Sequence, residues 1–234
     1  MDFSLYSVKL NKCSKKIYQE KESKYYISSS SCDITLPETS FQKIIKRNKC
    51  SLLIASGMLN INNISFTNQK RYISNTNFLN INSHEIKQLT KKFSNSKKII
   101  DDVEKFVFSH IEKKIIGIPM LSALSILKNR SGDCTEHTVL TVAILRALKI
   151  PSRAIVGMFL CRQVDGKQNI FIYHMWAEAF YNDRWKLVDS TRPGKKFLNR
   201  YIALTYHNLK TETPLEFLKA VCKIKNLTVE YTDN

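Results

Sequence analysis

No stretch of the 234-residue chain approaches the roughly 18 consecutive apolar residues that a membrane-spanning helix needs. Ser51 to Ile61 is too short and too polar at its ends. The N-terminus, Met1-Asp2-Phe3-Ser4-Leu5-Tyr6, lacks the basic-then-apolar order of a secretory leader, so a cytoplasmic protein is the expectation. Six cysteines, at 13, 32, 50, 134, 161 and 222, are widely scattered, with no C-x-x-C and no Cys-His cluster. That argues against the usual zinc frameworks, and neither a metal nor another cofactor is expected. In a chain of this size, scattered cysteines are expected as reduced thiols. Internal repeats are absent too.

Acidic residues are also scarce: 20 stand against 37 Lys and Arg, for a formal charge of +17. The imbalance is steep in residues 1–100, which hold 17 bases and 6 acids. A basic face attracts nucleic acid, anionic lipid or acidic proteins. Yet the lysines form no dense run, and no nucleic-acid motif or Arg–aromatic interleaving accompanies them. A solvated, lysine-rich exterior is the plainer reading, and nucleic acid is not an expected partner.

What is present is one strongly apolar helix. Thr135 to Leu148 is apolar on most faces, as in a helix buried in a core, and Lys149-Ile150-Pro151 stops it. Gly132 permits a tight turn before it, and Ser131 or Asp133 can cap its free N–H groups. Cys134 therefore sits at a helix N-terminus, where the dipole favours thiolate over thiol and makes it a candidate nucleophile. Asn169 to Phe180 reads as a strand, Asn182-Asp183 as a turn, and Arg184 to Asp189 as the returning strand. With that turn His174 faces Thr191, and Asp189 lies diagonally across from His174 on the same face, within reach of a hydrogen bond. A Cys, a His and an Asp able to orient that His make up the constellation of thiol acyl transfer.

The run S-G-D-C-T-E-H-T-V-L-T-V-A-I-L-R-A-L-K-I-P-S-R-A-I-V-G, then H-M-W-A-E, then W-K-L-V-D-S-T, resembles the bacterial transglutaminase-like superfamily. The resemblance is strong from about Leu121 to Thr191 and weaker back to Asn80. It implies an α+β, papain-like core, with a catalytic helix packed on an antiparallel sheet. It also implies Cys134 as nucleophile, His174 as general base and acid, and Asp189 as the group that orients His174. The implied substrate is a protein or peptide amide, attacked through a Cys thioester. Hydrolysis by a cysteine peptidase or amidase is favoured over a protein-glutamine transglutaminase. A non-catalytic peptide-binding module of the same fold is the other alternative. Lys149 departs from the family, which usually has glycine before Ile-Pro.

Residues 1–80 hold short β-like runs, among them Lys24–Ser28 and Arg71–Ser74, and are read as a β-rich region. It precedes a catalytic domain of residues 81–234 with its core at 121–191. The first 80 residues make either a small domain or strands added to the catalytic core. Helices are expected after the cap Asn82–Glu85, over Ile99–Lys113, Ser122–Leu127 and Pro214–Val221, with a last strand at Leu227–Tyr231. Near the site, His137 is an alternative base and Glu178 an alternative orienting acid. Trp176 either shields the His–Asp pair from water or simply packs. Asp133 reads as a cap, because a carboxylate beside the thiolate would oppose its ionisation. Cys161 and Cys222 read as bystanders, and His84, His110 and His207 carry no motif.

Overall fold

The computed structural model describes residues 7–32, 34–59, 69–115, 119–194, 197–207, 209–210, 224 and 226–232. Four strands come first: β1 (Ser7–Asn11), β2 (Glu22–Ser29), β3 (Gln42–Arg47) and β4 (Ser51–Gly57). Three helices follow: α1 (Gln69–Ile73), α2 (His84–Thr90) and α3 (Ile99–His110). A short parallel pair, β5 (Lys113–Lys114) and β6 (Ser131–Gly132), brackets α4 (Ala123–Asn129). Then come α5 (Cys134–Ala147), β7 (Ser152–Val164), β8 (Lys167–Phe180), β9 (Trp185–Val188), β10 (Tyr201–His207) and β11 (Leu227–Thr232). The main sheet runs β10-β7-β8-β1-β11-β2-β4-β3, with β9 also on β8. Within it only the β1–β11 pairing is parallel. This is an α+β fold.

The strands before residue 80 thus extend the sheet that holds β7 and β8, with β1 pairing β8 and β11 lying between β1 and β2. Helices cover one face. Val139, Leu140, Val142 and Ala143 of α5 bury against Met175, Ala177 and Ala179 of β8 and the apolar stripe of α3. The opposite face of β8 packs Trp176 with Phe41, Phe159 and Tyr201. Alternation along the strand separates these two sets, as a sheet buried on both sides requires.

Several expectations need correcting. Arg71–Ser74 was expected as a strand, but Gln69–Ile73 is a helical turn whose Tyr72 ring meets Trp185 edge-on at 5.3 Å. In so short a run tertiary packing overrides β propensity. α3 stops at His110 rather than Lys113, because Ile111 is extended and Lys113–Lys114 pair with Ser131–Gly132. Cys32 and Cys50 form a disulfide, so the expectation of reduced thiols fails for that pair. The turn after β2 brings them together: Cys32 N–H donates to the Ser29 carbonyl and Ser29 N–H to the Cys50 carbonyl. Closing that 18-residue separation stabilises the fold by roughly 3 kcal/mol in the chain-entropy account. Pro214–Val221 lies outside the described residues.

Lys149, standing where the resemblance implies glycine, has φ at +63°. Lys149 N–H donates to the Arg146 carbonyl and Ile150 N–H to the Leu145 carbonyl, each at 2.9 Å, which is the paired-bond end that calls for a left-handed residue. A Cβ in that region costs about 1 kcal/mol or more. Lys149→Gly is therefore expected to raise the thermal midpoint by about 2–3 °C, part of the gain being offset by glycine's freedom in the unfolded chain. A thermal melt that falls or does not move would show that the lysine side chain compensates locally.

Candidate active site

α5 begins where the sequence directs it. Asp133 Oδ1 accepts the Thr135 N–H at 2.8 Å, and Glu136 Oε2 accepts the Asp133 N–H at 3.0 Å, a reciprocal cap. Gly132 is required for space, because a Cβ there would collide with the Glu136 side chain. Glu136 is fully buried and also accepts the Leu121 N–H at 3.3 Å. Burial, partly opposed by its backbone hydrogen bonds, pushes its pKa up to about 7. Cys134 is the first residue of α5, half-buried, and its N–H donates to none of the described residues.

The hairpin adopts the register that a two-residue turn sets. Asn182 and Asp183 have φ of +53° and +57°, Tyr181 N–H donates to the Arg184 carbonyl, and Ala177 opposes Val188. Asp189 follows directly. His174 Nε2 lies 2.8 Å from Asp189 Oδ2, with both side chains buried. The Cys134 side chain lies beside the same imidazole and contributes to raising its pKa. The sheet leaves room for this approach: β1 pairs with residues 170–172 of β8 and β9 with 177–180. The edge of β8 between them, at His174, has no strand on that side among the described residues.

Burial works against the His174 imidazolium, but the Asp189 charge and hydrogen bond outweigh it and raise the pKa. Burial likewise opposes the Asp189 carboxylate, while His174, Thr191 and Tyr201 together pull its pKa well below the usual range. Asp189 is held from every side. Oδ1 accepts the Thr191 N–H at 3.0 Å and hydroxyl at 2.6 Å, Oδ2 accepts Tyr201 Oη at 2.8 Å, and its own N–H donates to Glu104 Oε1 at 2.8 Å. A 2.6 Å hydrogen bond between Thr141 and Ser190 ties this segment to α5.

Sequence reasoning missed Tyr201 and Glu104. They come from β10 and α3, and no local spacing links either to Asp189. The alternatives fall elsewhere. His137 Nδ1 bonds the Asp133 carbonyl at 2.7 Å on its own helix, and burial lowers its pKa. Glu178 is fully buried against Arg153, with Oε2 2.6 Å from Nη2 and 2.8 Å from Nε, and Ser40 donates to Oε1. Trp176 stacks on His174 at 5.9 Å and is only 1% exposed. Gly157, opposite His174, makes room for it, since a Cβ there would strike the indole and the Ile202 carbonyl. Trp185 lies at the other end, stacked under the Arg153 guanidinium at 4.0 Å. Among the described residues no three His, Cys, Asp or Glu side chains gather as a metal site needs. No helix among them is long and apolar enough to cross a membrane.

A family model described as the transglutaminase-like superfamily matches residues 85–190, the span that contributes Cys134, His174 and Asp189. A candidate cysteine protease from Cytophaga hutchinsonii shares the fold, with a TM-score of 0.54 at 12% identity, over 97% of this chain and 85% of that one. The periplasmic domain of TgpA from Pseudomonas aeruginosa aligns with a TM-score of 0.46 at 15% identity, over 80% of this chain and 73% of that one. Red sea bream transglutaminase aligns with a TM-score of 0.41 at 11% identity, over 87% of this chain and 52% of that one. No curated protein matches the chain. It is thus residues 85–190 of this chain that resemble the transglutaminase-like superfamily.

Proposed function

We propose that the protein catalyses thiol-dependent acyl transfer on a protein or peptide amide, and that water is its main acceptor. The observation that carries this reading is the buried 2.8 Å His174–Asp189 pair with the Cys134 side chain beside the same imidazole. In the proposed reaction the Cys134 sulfur attacks the amide carbon while its proton passes to His174. The oxyanion is met by the unengaged Cys134 N–H at the start of α5. The tetrahedral intermediate collapses to a thioester as His174 protonates the departing amine. Water, deprotonated by His174, then releases the acid and restores the thiol. Asp189 holds the imidazole in one tautomer throughout. Residues 81–234 would be the catalytic unit, with the first 80 residues extending its sheet.

Hydrolysis is favoured by the aromatic side chains. A transferase must keep water from the thioester, commonly with aromatic walls. Trp176 is committed to packing with Phe41 and Tyr201, and Trp185 to Arg153, which leaves Tyr173 beside Cys134. With a peptide-amide or glutamine substrate, release of ammonia or peptide should exceed incorporation of a labelled amine even at millimolar amine. Predominant amine incorporation would overturn hydrolysis. Absence of both turnover and thioester trapping across a broad peptide library would overturn catalysis in favour of a binding module.

Thiol labelling gives an independent check. Iodoacetamide near about pH 6 should modify Cys134 well before Cys13 or Cys161, because among these three Cys134 alone starts a helix and lies beside an imidazole held by a carboxylate. Burial moreover raises the Cys13 pKa. Equal rates, read by mass spectrometry, would sink the activated-nucleophile reading. A cytoplasmic location rests on the N-terminal sequence alone, and the Cys32–Cys50 disulfide favours an oxidising compartment.

A further inference from the structure

Cys134 and Arg146 lie near opposite ends of α5, roughly 18 Å apart at 1.5 Å per residue. Arg146 is only 3% exposed. Its Nε donates to the Ser152 carbonyl and its Nη1 to the Ser74 carbonyl, both at 3.0 Å. Nη2 has no hydrogen-bond partner among the described residues, and no carboxylate pairs with this guanidinium. Arg146 lines a cavity, and Nη2 is its one guanidinium nitrogen not bonded to a carbonyl of the described residues.

Arg71, Arg153 and Lys210 line that same cavity, with Tyr72, Tyr206 and His207 in its walls and no aspartate or glutamate among the described lining residues. Glu178 matches the charge of Arg153. Arg71 is exposed at the rim and has no ion-pair partner among the described residues. Arg146 and Arg71, which have no carboxylate partner among the described residues, are stabilised when an anion joins them in the cavity.

We propose that this cavity binds a phosphate-class oxyanion at a site separate from Cys134. The cavity measures about 50 Å³. A water needs roughly 10–15 Å³ on this measure, so the space suits about four oxygen-sized positions, those of one tetrahedral oxyanion. A nucleoside or sugar does not fit and would stay outside the mouth. Arg146 offers Nη2 from a buried residue, and Arg71 and Lys210 supply charge at the exposed entrance. The anion is either free or the head of a small phosphate monoester.

The test is titration of the full chain with inorganic phosphate and, in parallel, O-phosphoserine, with chloride at matched ionic strength as control. A saturable rise in thermal midpoint of roughly 3 °C or more is expected at ten times the Kd. The Arg71→Gln/Lys210→Gln double variant, changed only at exposed positions, should weaken binding about tenfold or more while keeping its circular dichroism. Tighter binding of phosphoserine would identify a monoester ligand, and tighter binding of phosphate a free anion. Cys134→Ala should bind as the wild type does, so failure here is distinguishable from failure of the acyl-transfer reading. A midpoint that phosphate moves no more than chloride, or equal affinity in the double variant, overturns the proposal.

Discussion

Asp189→Asn is expected to lower turnover by about 10⁴-fold with the fold and KM nearly unchanged, the size of loss seen when an orienting carboxylate becomes an amide. The reason lies in the four donors around the carboxylate. The Thr191 backbone N–H, bonded to Oδ1, cannot reverse its polarity, so the Asn carbonyl oxygen must take that position. The Asn NH₂ then faces His174 and Tyr201. The tyrosine hydroxyl can rotate to accept. The imidazole can accept only by moving its proton to the other nitrogen, on the side of Cys134. The base is then in the wrong tautomer. Burial alone also lowers the His174 pKa once the carboxylate charge is gone, so the ring no longer holds a proton for the leaving amine.

The same pair sets a stability-versus-pH signature. Asp189 has a depressed pKa, so its contribution is present above the ordinary carboxylate range and is lost as pH falls through the lowered value. His174 has a raised pKa, so its contribution is full below about pH 6.5 and is lost as pH rises through the raised value. Both are complete between about pH 4 and 6.5. Urea midpoints across pH should show that plateau in the wild type and lose it in Asp189→Asn. Wild-type turnover in Asp189→Asn would remove the orienting role from Asp189.

Glu178→Gln is expected to cost about 3–5 kcal/mol of stability, a fall of roughly 10 °C in thermal midpoint. By its strand position Glu178 shares the face of His174 and reads as a second active-site acid. Its carboxylate instead balances Arg153, and the two side chains are 0% and 7% exposed. Removing the negative charge leaves a guanidinium enclosed by Trp185 and Tyr206 with no counter-charge. Replacing both partners by apolar residues, as in Arg153→Met/Glu178→Leu, should recover much of the loss. Turnover per folded molecule, measured below the melting transition, should change only a few-fold. Abolished turnover in a folded Glu178→Gln protein would place this acid in the catalytic machinery.

What the amino-acid order determined by itself was local. The buried helix, its Asp133 cap, its stop before Pro151 and the two-residue turn at Asn182-Asp183 all follow from interactions within a few residues. Because side chains alternate along a strand, that turn alone put Asp189 on the face of His174. Arg71–Ser74 escaped the same logic, being too short for period to outweigh packing against Trp185. Tertiary structure alone decided which groups surround the pair. Tyr201 and Glu104 reach Asp189 from elements 12 and 85 residues away in sequence. Arg153 claims Glu178 across the β7–β8 ladder, and the turn after β2 joins Cys32 to Cys50. Such contacts depend on strand order and on which face meets which helix, and no spacing along one chain encodes them.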